Sequence, residues 1–87
     1  MADEPTADEI AAHFSAMDDS VSRINATVAD DAEALEMYGD AAEVKLMVTR
    51  NTDHIEIQKE KAWYKSSGKT KTKYTNAVTA GKAYVAG

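Results

Sequence analysis

An all-α protein, built as a long antiparallel helical hairpin plus a short C-terminal helix and assembled as an oligomer, is the fold class that this 87-residue sequence predicts. Three observations predict it. Ile10, Phe14, Met17, Val21, Ile24 and Val28 recur at spacings of 4, 3, 4, 3 and 4, the a/d pattern that gives a helix one continuous apolar seam. Helix-start chemistry stands just ahead of the first two apolar runs. The chain also has no cysteine, so close helix packing and oligomerisation are what remain to stabilise so small a domain.

Taken in order, Pro5 and the pair Thr6 and Glu9 open the first helix near Ala7, because a threonine and a glutamate three residues apart satisfy each other's free amides in a capping box. Residues 1–6 before it read as an N-terminal arm of a single domain spanning residues 1–87. Asp19 and Arg23 are spaced as an i,i+4 pair on the outer face. Asp30-Asp31 then interrupts, and either residue can cap a second helix whose first turn carries Glu33 and Glu36, where the helix dipole favours acids.

That second helix has Ala34, Met37, Ala41, Val44, Val48 and Ile55 on one face and Leu35, Tyr38, Leu46, Met47 and Ile57 on its flanks. One thin partner cannot cover so many faces. The helix is therefore either buried on two sides in an oligomer or broken near Gly39 or near Asn51-Thr52-Asp53. The second break is preferred, since Asp53 can cap a short helix carrying Ile57, Lys61 and Tyr64. "KSSGKTKTK" has no apolar residue, so residues 65–72 read as a lysine-rich loop. Tyr74, Ala77, Val78, Gly81 and Val85 then recur with helical spacing, and the small Ala77 and Gly81 permit close approach of another helix unless Gly81 ends this one.

Charge is distributed unevenly. Residues 1–40 hold eleven acids against Arg23, whereas residues 41–87 hold nine bases against Glu43, Asp53, Glu56 and Glu60. The halves should attract each other within one chain or between subunits. No run of about 18 apolar residues is present to span a membrane, and "MADEPTADE" is acidic where a secretory signal is basic and then apolar. A cytosol-like setting is expected, and the sequon Asn25-Ala26-Thr27 reads as chance inside a helical pattern.

Catalytic and cofactor signatures fail one by one. "SGKT" at Ser67–Thr70 resembles the end of a phosphate-binding loop, but Trp63 stands where its first glycine is required. Glu9 and His13 lie one turn apart, yet two ligands without a third hold a metal poorly; His13 reads as a surface or interface residue. His54 has Arg50, not a carboxylate, one turn earlier. No nucleophile and base arrangement can be assembled, so no enzymatic activity, cofactor or metal is expected. Lys59 to Lys73 with Trp63, Tyr64 and Tyr74 does combine cations with stackable rings, but the acidity of the whole chain opposes phosphate, so nucleic acid is the weaker reading. Trp63 is instead expected to anchor the end of the hairpin and, with Tyr64, to dock the third helix through Tyr74 and Val78. Val44 and Val48 complete the expected core. Lys65, Lys69, Lys71 and Lys73 are left to meet an acidic surface.

The stretch "VTRNTDHIEIQKEKAWYKSSGKTKTKYTNAVTAGKAYVAG" resembles the C-terminal half of short uncharacterised proteins encoded by marine cyanobacterial tailed phages. In that pattern an Arg-Asn pair (Arg50-Asn51) precedes a His-aliphatic pair (His54-Ile55), an aromatic pair (Trp63-Tyr64) follows the helix, and an "NAV-AGKAY"-like helix ends the chain. "ADEPTADEIAAHFSAM" is similar to the same proteins, and the Arg-Asn to Trp stretch is similar to tail-fibre assembly proteins. The lysine-rich loop departs from both, where the pattern is more acidic. The resemblance implies a virion structural protein, such as a capsid decoration or connector-type subunit, binding itself and other virion proteins. A non-virion accessory or assembly chaperone is the alternative, so the expected location is the virion or the host cytoplasm.

Overall fold

Five helices, α1 (Ala7–Ala29), α2 (Asp31–Tyr38), α3 (Ala41–Lys59), α4 (Ala62–Lys65) and α5 (Thr72–Ala86), make up the computed structural model, which describes residues 5–87. Residues 1–4 of the expected arm lie outside the described residues. The helical hairpin is α1 against α3, running antiparallel so that Ser20 meets His54 and Phe14 meets Trp63 just beyond α3. α5 fills the groove between them, parallel to α1, with Tyr74 beside Asp18 and Gly81 against Thr52. The result is a rod of 44 × 21 × 18 Å. No helix among the described residues is long and apolar enough to cross a membrane.

Local chemistry sets the boundaries. At the start of α1 the Glu9 amide donates to Thr6 Oγ1 at 3.2 Å, and the Thr6 amide donates to Glu9 Oε1 at 2.8 Å. Asp30 caps α2 by accepting from the Glu33 amide at 3.1 Å, and Asp40 caps α3 by accepting from the Glu43 amide at 2.9 Å. Between these two helices Gly39 turns the chain at φ +92°, a left-handed value that a residue with a Cβ adopts only at a cost.

The break in the second helical segment therefore falls at Gly39, not at Asn51-Thr52-Asp53. α3 passes through those three residues because their polar groups are used along the helix or face its partners. Asn51 Nδ2 donates to the Met47 carbonyl at 2.8 Å, Thr49 Oγ1 donates to the Lys45 carbonyl at 2.8 Å, and Thr52 and Ile55 point inward. Asp53 accordingly caps nothing. The loop is also shorter than expected, since Lys65 closes α4 and Thr72 opens α5.

Phe14, Met17, Val21, Ile24, Ile55, Tyr64, Tyr74, Ala77 and Val78 form one buried core, with Ile10 and Trp63 half-buried against it. Val44 and Val48 are buried farther along α3. The seam of α1 departs from expectation at its last member. Val28 is 47% exposed, and Thr27 takes the inward place with its hydroxyl donating to the Arg23 carbonyl at 2.9 Å. Buried Ser20 and Thr27 flank Ile24 and turn the seam, because the last turns of α1 face Ala34 of α2 and Met47 of α3. Asp19 and Arg23 do not pair; the ion pairs among the described residues join Lys65 to Glu60, Lys73 to Asp18 and Lys82 to Glu56. α5 approaches α3 closely at Gly81, where any Cβ would collide with Thr52 Oγ1.

Candidate functional site

The two ends of the rod carry the features with functional content, and they are built differently. At the α4 end, α1 supplies His13 and Phe14, α4 supplies Trp63 and Tyr64, and α5 supplies Tyr74. Phe14 sits at the centre, 5.2 Å from Trp63 edge-on, 5.9 Å from Tyr64 and 5.9 Å from Tyr74. Tyr64 meets Tyr74 at 5.9 Å and 71°, so Tyr64 rather than Trp63 docks the third helix. Trp63 lies outside this pair, stacked on His13 at 5.0 Å with a 14° interplanar angle.

The lysine-rich segment folds over these rings. Lys69 Nζ lies 4.7 Å from the Phe14 ring centre, Lys71 Nζ 5.3 Å from Tyr64 and Lys73 Nζ 5.2 Å from Tyr74, each a cation on an electron-rich face. Lys71 also donates to the Ser67 carbonyl at 2.8 Å and the Lys65 carbonyl at 3.4 Å, which ties the loop to the end of α4. Lys65 faces solvent and reaches Glu60 at 3.5 Å. Three of the four lysines expected to await an acidic partner thus have a first role inside their own chain. The loop closes the core instead of hanging free.

A polar relay joins α1 to α5 beside the rings. Tyr74 donates its hydroxyl to Asp18 Oδ1 at 2.6 Å, and Lys73 Nζ reaches the same oxygen at 2.9 Å. Partial burial opposes ionisation of Asp18, but the hydrogen bonds from Tyr74 and Lys73 and the charges of Lys73 and Lys69 outweigh it and hold the carboxyl below its ordinary value. Burial first, then the bond to Asp18 and its charge, pushes the Tyr74 hydroxyl well up. Burial also raises Tyr64, whose buried hydroxyl has no hydrogen-bond partner among the described residues. Sequence reading missed this relay because Asp18 and Tyr74 stand 56 residues apart.

The opposite end is open. α2 turns only Ala34 fully inward, leaving Leu35 44%, Met37 73% and Tyr38 40% exposed, with Val28 and Leu46 exposed beside it. Met37, expected on the inner face, is corrected to the surface. Arg23, Thr27, Ala34, Met37, Tyr38 and Met47 line a depression of about 150 Å³, and Tyr38, Leu46, Met47 and Arg50 line a second of about 170 Å³. Tyr38 and Met47 line both, so the two adjoin as one groove, apolar around Met37 and mixed where Glu43, Arg50 and Asn51 line it. Asp30, Glu33 and Glu43 stand on its rim. The signal in the sequence was the surplus of apolar faces on residues 34–57.

Neither histidine joins a ligand set. His13 stacks on Trp63, His54 Nδ1 meets Ser20 Oγ at 2.9 Å, and the described residues contain no group of three or more histidines and acids that could hold a metal. Comparison with protein-family models, with curated proteins and with solved structures returned no match.

Proposed function

We propose that this chain is a non-enzymatic structural subunit of a phage particle, of the capsid-decoration or connector type, working through helix-borne protein contacts. The observation that carries the reading is the open groove around Tyr38, with Met37 73% exposed on a chain too small to leave much apolar surface in water. The resemblance of residues 48–87 to short tailed-phage proteins supports the particle setting. Its partners are other copies of itself and neighbouring particle proteins, in the particle or in the cytoplasm of the infected host.

The rings of the basic end favour this reading over nucleic-acid binding. Single-stranded nucleic acid stacks its bases on open aromatic faces. Here Phe14, Tyr64 and Tyr74 are 2%, 4% and 1% exposed and lysines cover them.

Two measurements test the proposal. Mass spectrometry of purified particles should find the chain at a fixed copy number, whereas recovery only from the particle-free lysate assigns it to assembly instead. In sedimentation velocity the wild type should associate as concentration rises, and Met37→Ser/Leu46→Ser should weaken that association at least tenfold while keeping its helical circular dichroism. A wild type that stays monomeric at every concentration overturns the proposed contact.

A further inference from the structure

We infer that the apolar groove around Tyr38 receives the lysine-bearing end of a second copy of this chain, so that copies join head to tail. The inference rests on the reading of the groove as a protein interface and names its occupant. Charge decides between the ways in which two copies can meet. Residues 23–50, which build the groove, carry Asp30, Asp31, Glu33, Glu36, Asp40 and Glu43 against Arg23, Lys45 and Arg50, so the acids outnumber the bases two to one. A two-fold pairing of groove with groove would bring these two acidic rims together, which is unfavourable.

The complementary charge lies on the same molecule at the other end of the rod. Residues 57–73 carry six lysines against Glu60. Lys69, Lys71 and Lys73 are held over their rings, while among the described residues Lys59 and Lys61 have no ion pair and Lys65 has only its exposed contact with Glu60. Ile57, two residues before Lys59, is 57% exposed and supplies the apolar contact that the groove requires. Asp8 and Glu9, on the first turn of α1, share this end, and the six lysines outnumber these two acids and Glu60.

Geometry prevents one chain from satisfying both ends by itself. α1 alone, at 23 residues, spans about 34 Å and separates the α4 end from the α2 end of the 44 Å rod. A contact between unlike surfaces repeats from copy to copy, closing into a ring or extending as a filament. Such a lattice-forming contact suits a subunit that acts in many copies.

Charge reversal at each end tests the pairing. Glu33→Lys/Glu43→Lys changes the groove rim, Lys61→Glu/Lys65→Glu changes the basic end, and all four side chains are on exposed residues. Sedimentation velocity at low salt should show each variant alone associating at least tenfold more weakly than the wild type. An equimolar mixture should regain association, because one variant keeps its acidic groove and the other its basic end; recovery also shows that both are folded. Glu33→Gln/Glu43→Gln should weaken association less than reversal does. If Lys61→Glu/Lys65→Glu associates as the wild type does and the mixture gains nothing, the basic end is not the occupant. The head-to-tail contact is then overturned while the groove remains an interface, which Met37→Ser/Leu46→Ser tests separately.

Discussion

The α4 end and the α2 end of the rod begin from similar material and finish differently. Both have large apolar side chains beside a dense run of charge. At the α4 end the charges are lysines with long flexible stems, and they bend back so that Lys69, Lys71 and Lys73 cover Phe14, Tyr64 and Tyr74. At the α2 end the charges are short Asp and Glu side chains. Asp30 and Asp40 spend their carboxylates on helix amides, so Met37, Tyr38 and Leu46 stay open. A cation can rest on an aromatic face, but a carboxylate has no such use for Tyr38 or Met37. Large apolar side chains beside dense charge are therefore sealed at one end and exposed at the other.

The largest effect should come from breaking the sealed end at its centre. Phe14 is 2% exposed and touches three rings, so Phe14→Ala should cost about 3–5 kcal/mol and lower the melting temperature sharply. An unchanged melting temperature would mean that the ring cluster does not hold the fold.

A smaller effect should follow from Tyr74→Phe, which removes one hydrogen bond to a half-exposed carboxylate and should cost about 1 kcal/mol near neutral pH. Its pH dependence has a definite sign. Asp18 ionises more easily in the folded chain than its ordinary value of 3.8 allows, so its contribution is present above that pH and is lost as pH falls through the lower folded value. Tyr74 is raised above 10.0, so its contribution is present below that pH and is lost as pH rises through the higher folded value. The gap between wild type and Tyr74→Phe in urea titrations should be widest between these limits and shrink outside them. A constant gap from pH 3 to pH 11 would show that the relay is not formed.

At the open end the smallest stability change is expected. Met37→Ser/Leu46→Ser should shift unfolding by only about 0.5 kcal/mol, because neither side chain is buried in the single chain. A large loss there would erase the contrast between the ends.

How much of this was legible in the sequence differs between the same two regions. α1 could be read through most of its length, since Phe14 to Ile24 repeat over successive turns and each inward position supports the next. The pattern failed at Val28, where the partner of α1 changes to α2 and the start of α3, and no spacing rule contains that change. The break at Gly39 was misplaced because Asn51, Thr52 and Asp53 look like loop residues until Asn51 is seen bonded to its own helix and Thr52 is seen buried. Aromatic clustering at the α4 end was legible as composition. Which ring docks α5, and the covering of the rings by lysine, depend on contacts between residues far apart in the chain. The open groove was visible only as a surplus of apolar faces, which the sequence could not divide between a partner helix and solvent.

Methionine footprinting reads both regions in one sample and tests the central claim, that the α2 end is covered by protein when the chain is at work. Met17 is 0% exposed in the sealed core and Met37 is 73% exposed at the groove. Hydroxyl-radical oxidation, read by mass spectrometry across protein concentration, should leave Met17 untouched throughout and modify Met37 several-fold less as association sets in. Met37 oxidation that stays high at every concentration while Met17 remains protected would contradict the account.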